Sequence, residues 1–175
     1  MSDFVKNLII DIIIAVLVAG TILFFIKPTI VQQTSMLPTF KEGDYLITYK
    51  RAYSHKEPER GDVVVFQSSL TDDSGKDKLL IKRVIGLPGE IITIKDGMVY
   101  INGKEYEESY LNDGYTPGDI DDYVIPEGKY FCMGDNRVVS IDSRSADVGP
   151  VDKDLIMGKV VVRLFPFSRI GTDFN

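Results

Sequence analysis

The sequence predicts a mostly β domain carried behind a single membrane-spanning helix. Three observations define that class. A long apolar stretch lies near the start, short extended runs separated by turn pairs follow it, and no segment beyond residue 28 keeps a helical period.

The apolar stretch, Asn7 to Ile26, reads NLIIDIIIAVLVAGTILFFI, interrupted only by Asp11. At ~1.5 Å rise per residue this length spans a hydrocarbon core of ~30 Å. Asp11 stands about one turn from the start of the stretch, where a carboxylate still reaches headgroups or water. Lys27 and Pro28 close the helix at the other end. A cleaved signal segment has a shorter apolar core, a more basic start and a small-x-small exit. A buried core helix shows a polar face, and residues 12–26 have none. The stretch is therefore a retained anchor, dividing the chain into residues 1–27, tail and anchor, and residues 28–175, the folded domain. Lys6 and the terminal amine stand against Lys27, too slight a bias to orient the helix.

Within the domain the expected strands are Tyr45–Tyr49, Val63–Phe66, Leu79–Val84, Ile91–Lys95, Met98–Ile101, Tyr130–Met133 and Ile156–Leu164. Turn pairs such as Gly43-Asp44, Gly61-Asp62, Pro88-Gly89 and Asn102-Gly103 separate them. Asp96-Gly97 between two β-rich runs is the strongest hairpin signal, because a type I′ turn needs positive φ at both central residues. Such strands close into a barrel or a sandwich. Residues 104–128, rich in acid, Gly and Tyr, read as a long loop or insertion.

The 175 residues are 44% hydrophobic and 26% charged, an ordinary balance for a folded chain. The net charge is -6, and the first 27 residues balance Asp3 and Asp11 with Lys6 and Lys27. All the excess acid thus lies in the domain, which argues against a nucleic-acid partner. One cysteine, Cys132, and one histidine, His55, argue against a metal site built from those ligands. Cys132 lies in the apolar run Tyr130–Met133 and reads as core, while His55 sits in a polar stretch that reads as a solvated loop.

Three short clusters carry polar chemistry. Gln32-Gln33-Thr34-Ser35-Met36-Leu37-Pro38-Thr39 places Ser35 eight residues past Lys27, within ~28 Å of the membrane exit even if fully extended. By itself Ser35 is either a nucleophile or a loop serine. In Leu79–Gly89, strand alternation puts Leu80, Lys82 and Val84 on one face. A lysine between aliphatic neighbours loses hydration, which lowers its pKa towards what a general base requires. The bland alternative is a snorkelling lysine on an edge strand. Gly134-Asp135-Asn136-Arg137-Val138-Val139-Ser140-Ile141-Asp142-Ser143-Arg144 is dense in hydrogen-bonding groups, with an Asp142–Arg144 ion pair as its simplest structural role.

The order of these clusters is more specific than any one of them. An anchor, then Ser-Met-x-Pro-Thr, then Lys-Arg-Val-Ile-Gly-x-Pro-Gly-Glu, then Gly-Asp-Asn-Arg-x-x-Ser-x-Asp-Ser-Arg closely resembles type I signal peptidase in its compact, Gram-positive-like bacterial form. The resemblance extends to about Arg169 and takes in Gly43-Asp44, Arg60–Phe66 and Gly158-Lys159-Val160. It implies a β-rich fold, no cofactor, and secretory preproteins as substrates, cut after small-x-small at the outer membrane face. It also implies Ser35 as nucleophile, Lys82 as general base, Ser140 orienting Lys82, and Asp142 with Arg144 in support. The Ser35 backbone N–H would donate to the oxyanion. Two residues before the nucleophile the family carries Ser or Gly, and this chain has Gln33. Gln33 either donates through its amide or crowds the site and narrows the substrate range. Met36-Leu37 and Phe165-Pro166-Phe167 are apolar surfaces for lipid contact or for core packing. Two further readings remain: a specialised processor of a few surface or pilin-like precursors, and a non-enzymatic, membrane-tethered β module.

Overall fold

The computed structural model describes residues 3–72 and 74–174, so Met1 and Ser2 of the anchor unit lie outside it. Helix α1 (Asp3–Phe25) buries none of its residues. Its 23 residues hold an 18-residue window of mean hydropathy 2.9, so it is long and apolar enough to cross a membrane by length and composition. The helix stops at Phe25, earlier than the apolar run suggests. Ile26 and Lys27 already belong to β1 (Ile26–Ile30), which pairs with β2 (Tyr45–Tyr49). β1 is an edge strand, so Pro28 can sit within it without breaking a ladder on its other side.

The chain continues through β3 (Val63–Thr71), β4 (Asp77–Gly86), β5 (Ile91–Lys95) and β6 (Met98–Ile101). Then follow β7 (Lys104–Glu105), β8 (Ile120–Val124), β9 (Lys129–Met133), β10 (Val151–Asp152) and β11 (Ile156–Phe165). Seven strands form one antiparallel sheet in the order β1-β2-β11-β3-β4-β9-β10, and four form another, β7-β6-β5-β8. The domain is therefore mostly β, built as two sheets with edges and not as one closed barrel.

β3 lies at the centre of the large sheet and is buried on both faces, which explains its unbroken apolar run Val63–Phe66. Val63 and Val65 pack with Val31, Met36, Phe40 and Leu46. Val64 and Phe66 pack on the other face with Leu80, Val84, Tyr130 and Cys132. Full burial of each such side chain contributes ~1.5–3 kcal/mol. A third cluster, Ile85, Ile92, Ile94, Val99, Ile125, Phe131 and Met133, joins the small sheet to the large one.

The β5–β6 hairpin turns on Asp96 (φ 53°) and Gly97 (φ 82°), with Lys95 opposite Met98. A Cβ on Gly97 would lie 2.3 Å from the Tyr115 ring, so glycine is required there for close approach as well as for φ. Residues 104–128 differ from the expected long loop, since β7 and β8 lie inside them. β8 hides in the sequence because Ile120-Asp121-Asp122-Tyr123-Val124 is mostly exposed and carries acid in the middle of the strand. The segment is also clamped to the body: Arg137 pairs with Glu108 and donates to Thr116, and the Thr116 N–H bonds Gly97 O at 2.8 Å.

Candidate active site

Ser35 stands on a tight turn between β1 and β2. The Leu37 N–H bonds Thr34 O (3.1 Å) and the Phe40 N–H bonds Met36 O (2.8 Å), while Met36 and Phe40 are buried in the core on either side of Leu37-Pro38-Thr39. The turn is thereby pinned by its apolar residues and leaves the Ser35 side chain facing a cleft. Asn136 holds it from across the fold: its N–H bonds Ser35 O at 3.0 Å, and its amide bonds Thr34 O at 3.2 Å. Among the described residues no acceptor takes the Ser35 N–H, so it is available to a substrate oxygen.

Lys82 reaches this turn from β4. Its cross-strand partner is Val64, and Leu80 lies opposite Phe66 and Val84 opposite Cys132, so the lysine stem rises from an apolar face. Lys82 is 1% exposed, and its Nζ donates to Ser35 Oγ at 2.6 Å. Burial lowers its pKa to about 8, against the opposing pull of the Asp142 and Asp135 carboxylates. About a tenth of the amine is thus neutral at pH 7, far more than for a solvated lysine, and it already touches the hydroxyl it would deprotonate.

The Gly134–Arg144 segment packs around this pair. Gly134 has no room for a side chain: a Cβ would fall 2.3 Å from Ser140 Oγ and 2.4 Å from Ser35 O. Asp142 is buried and accepts from the Gly134 N–H (3.0 Å) and from Arg144 Nε and Nη2 (both 2.9 Å). Burial opposes its charge, but the Arg144 guanidinium outweighs that and holds the carboxyl below the usual range. Arg144 also donates to Pro117 O and Arg137 O, closing the loop on itself. Ser140 lies in the same segment, next to the serine turn. Its hydroxyl is buried beside Gly134 and helps hold the Asp142 carboxyl low, while the Lys82 amine donates to Ser35. Gln33 is exposed and lines the clefts on either side of Ser35.

The sequence assigns Arg83 no role, yet it organises the opposite face of β4. Its guanidinium bonds Asp135 (3.0 and 2.8 Å), Gly61 O (3.1 Å) and Phe174 O (2.7 Å), and lies 3.8 Å from the Tyr110 ring centroid. Asp135 in turn accepts from the Thr39 hydroxyl at 2.5 Å. The Gly-Asp-Asn cluster was the available signal: Asp135 anchors Arg83, and Asn136 anchors the serine turn. Cys132 is fully buried and burial pushes its thiol pKa up, so it is core and not a nucleophile. His55 is exposed in the turn after β2 and lines neither cleft beside Ser35. Among the described residues no cluster of His, Cys, Asp and Glu suited to a metal is present.

Fold and site define a β-rich hydrolase behind an apolar helix, with a serine and a buried lysine at its centre. The family model for signal peptidase, peptidase S26, matches residues 3–165. Signal peptidase I of Bacillus licheniformis is 38% identical over 97% of this chain and 91% of its own length. Signal peptidase IB of Staphylococcus aureus (strain COL) is 37% identical over 97% of this chain and 96% of its own. The crystal structure of a signal peptidase I from Enterococcus faecalis V583 superposes with a TM-score of 0.51 at 32% identity, covering 60% of this chain and 97% of that one. The chain belongs to the signal peptidase family, peptidase S26.

Proposed function

We propose that this chain is a membrane-anchored endopeptidase that removes signal peptides from secreted preproteins at the outer face of the cell membrane. Ser35 is the nucleophile and Lys82 the general base. The observation that carries this reading is the 2.6 Å contact from a buried lysine amine to a serine hydroxyl on a pinned turn. The relatives are named signal peptidases, and α1 supplies the anchor that keeps Ser35 near the bilayer surface.

In the reaction, neutral Lys82 takes the Ser35 hydroxyl proton as Oγ attacks the carbonyl after the small-x-small segment. The Ser35 N–H donates to the developing oxyanion. As the carbon–nitrogen bond breaks, the Lys82 ammonium returns the proton to the leaving amine, and an activated water then releases the acyl-enzyme. Ser140, a buried hydroxyl beside the serine turn, becomes the acceptor for the ammonium once Ser35 Oγ is bonded to substrate. Asp142 and Arg144 keep that loop in place. No step requires a cofactor.

The test is cleavage of a precursor with an Ala-x-Ala site by the full chain in detergent or vesicles, beside Ser35→Ala, Lys82→Met and Lys82→Arg. Wild type is expected to cut and all three variants to fail; substantial turnover by Lys82→Arg would overturn the proton-transfer role. The specialist reading has one specific support, the exposed Gln33 side chain projecting between both clefts. A panel of precursors cut by Gln33→Ser and refused by wild type would establish it.

A further inference from the structure

Two clefts flank Ser35, and the groups that line them differ. One is walled by Thr29, Ile30 and Val31 of the strand that leaves the membrane helix, together with Leu79 and Ile81 of β4. The other is walled by Leu80 and Lys82, from the opposite face of β4, and by Leu70, Val139 and Ile141. Gln32, Gln33, Ser35 and Lys78 belong to both, whereas Lys82 lines only the second.

That asymmetry gives the bound chain a direction. The lysine that takes the serine proton must return it to the leaving amine, which is the new N-terminus of the mature protein. The mature part therefore lies on the side of Lys82. The first cleft begins within five residues of Phe25, where a segment emerging from the bilayer arrives. Proton return and membrane proximity independently assign the same direction.

Val139 and Ile141 then acquire a role. They flank Ser140 in the Gly134–Arg144 segment, and they are 55% and 53% exposed. Both are large apolar side chains that pack in none of the three core clusters. Exposed apolar residues gathered on a cleft beside a nucleophile mark a binding surface. We propose that Val139 and Ile141, with Leu70 and Leu80, form the subsite for the first residues of the mature protein and make this enzyme prefer apolar side chains just after the cut. The inference rests on the peptidase reading above.

The experiment uses the full chain in detergent and precursors with one signal sequence and one Ala-x-Ala site. They differ only in carrying Val, Ser or Asp at the first or the second mature residue. Partial burial of an apolar side chain predicts kcat/KM about five- to tenfold higher for Val than for Ser. Val139→Ser and Ile141→Ser are expected to flatten the ranking. Val139→Lys or Ile141→Lys is expected to raise Asp above Val, a reversal that loss of structure alone does not produce. Tolerance at the residues before the cut stays as in wild type. A wild-type ranking kept in all four variants, or a change confined to the signal-peptide side, overturns the assignment. If wild type cuts none of the precursors, the peptidase reading itself fails, and this one with it.

Discussion

Replacing Lys82 by methionine keeps an unbranched side chain of similar length and deletes its ionisable group, so it isolates what the buried amine costs the fold. The pKa falls from 10.5 in a solvated lysine to about 8 here, with burial as the leading cause. At ~1.4 kcal/mol per unit, a charged Lys82 therefore costs the native state about 3 kcal/mol. The folded state binds the proton less tightly than the unfolded chain does. The penalty is present in full below about pH 8, fades as pH rises towards 10.5, and is gone above it. Methionine removes the penalty and gives up the hydrogen bond to Ser35, worth about 1 kcal/mol. The net expectation at pH 6 is a variant more stable by about 2 kcal/mol, or roughly 4–8 °C in Tm for a domain of this size. It is also inactive. Thermal unfolding of the full chain in detergent at pH 6 and at pH 10.5 reads the difference. A variant no more stable than wild type at pH 6, or a gain of the same size at both pH values, would refute the reasoning.

Two further outcomes follow from the same geometry. The kcat/KM of wild type should rise about tenfold per pH unit up to about pH 8 and level off above, leaving activity at pH 7 near a tenth of the plateau. A flat profile between pH 6 and 9 argues against lysine as the base. Gly134→Ala places a methyl 2.4 Å from the Ser35 carbonyl oxygen, which is backbone and cannot swing aside. Displacing the nucleophile by a fraction of an ångström predicts a loss of cleavage of about 100-fold with a stability cost of only about 1–3 kcal/mol, measured by denaturant titration beside the cleavage assay.

The sequence exposes the parts of this fold whose physics is local. Asp96-Gly97 announces its hairpin because positive φ selects those residues, and Val63–Phe66 announces a doubly buried strand by its unbroken apolar run. The face shared by Leu80, Lys82 and Val84 is legible for the same reason: alternation is a property of the strand alone. Elements that depend on distant partners are not. β1 reads as the end of a membrane helix until β2 pairs with it, and β8 reads as an acidic loop until β5 does. The contact of Lys82 with Ser35 belongs to the same group, since 47 residues separate the two and only the sheet order brings them together.

The adjacent pair Lys82-Arg83 shows why order along β4 matters more than its composition. The pleat sends the two cations to opposite faces. Arg83 enters a network of Asp135, Gly61 O and Phe174 O against the Tyr110 ring, where its charge is fully compensated. Lys82 enters an apolar face beside Val64, Leu80 and Val84, and Asp142, the carboxylate that acts on it most strongly, is already engaged by Arg144. Exchanging the two residues would preserve composition and destroy both functions. An arginine at position 82 stays protonated, and a lysine at position 83 would be held charged by Asp135. On the proposed mechanism, chemistry at Ser35 depends on strand register: a one-residue slip of β4 would present the always-charged cation to the serine and bury the titratable one among its counter-ions.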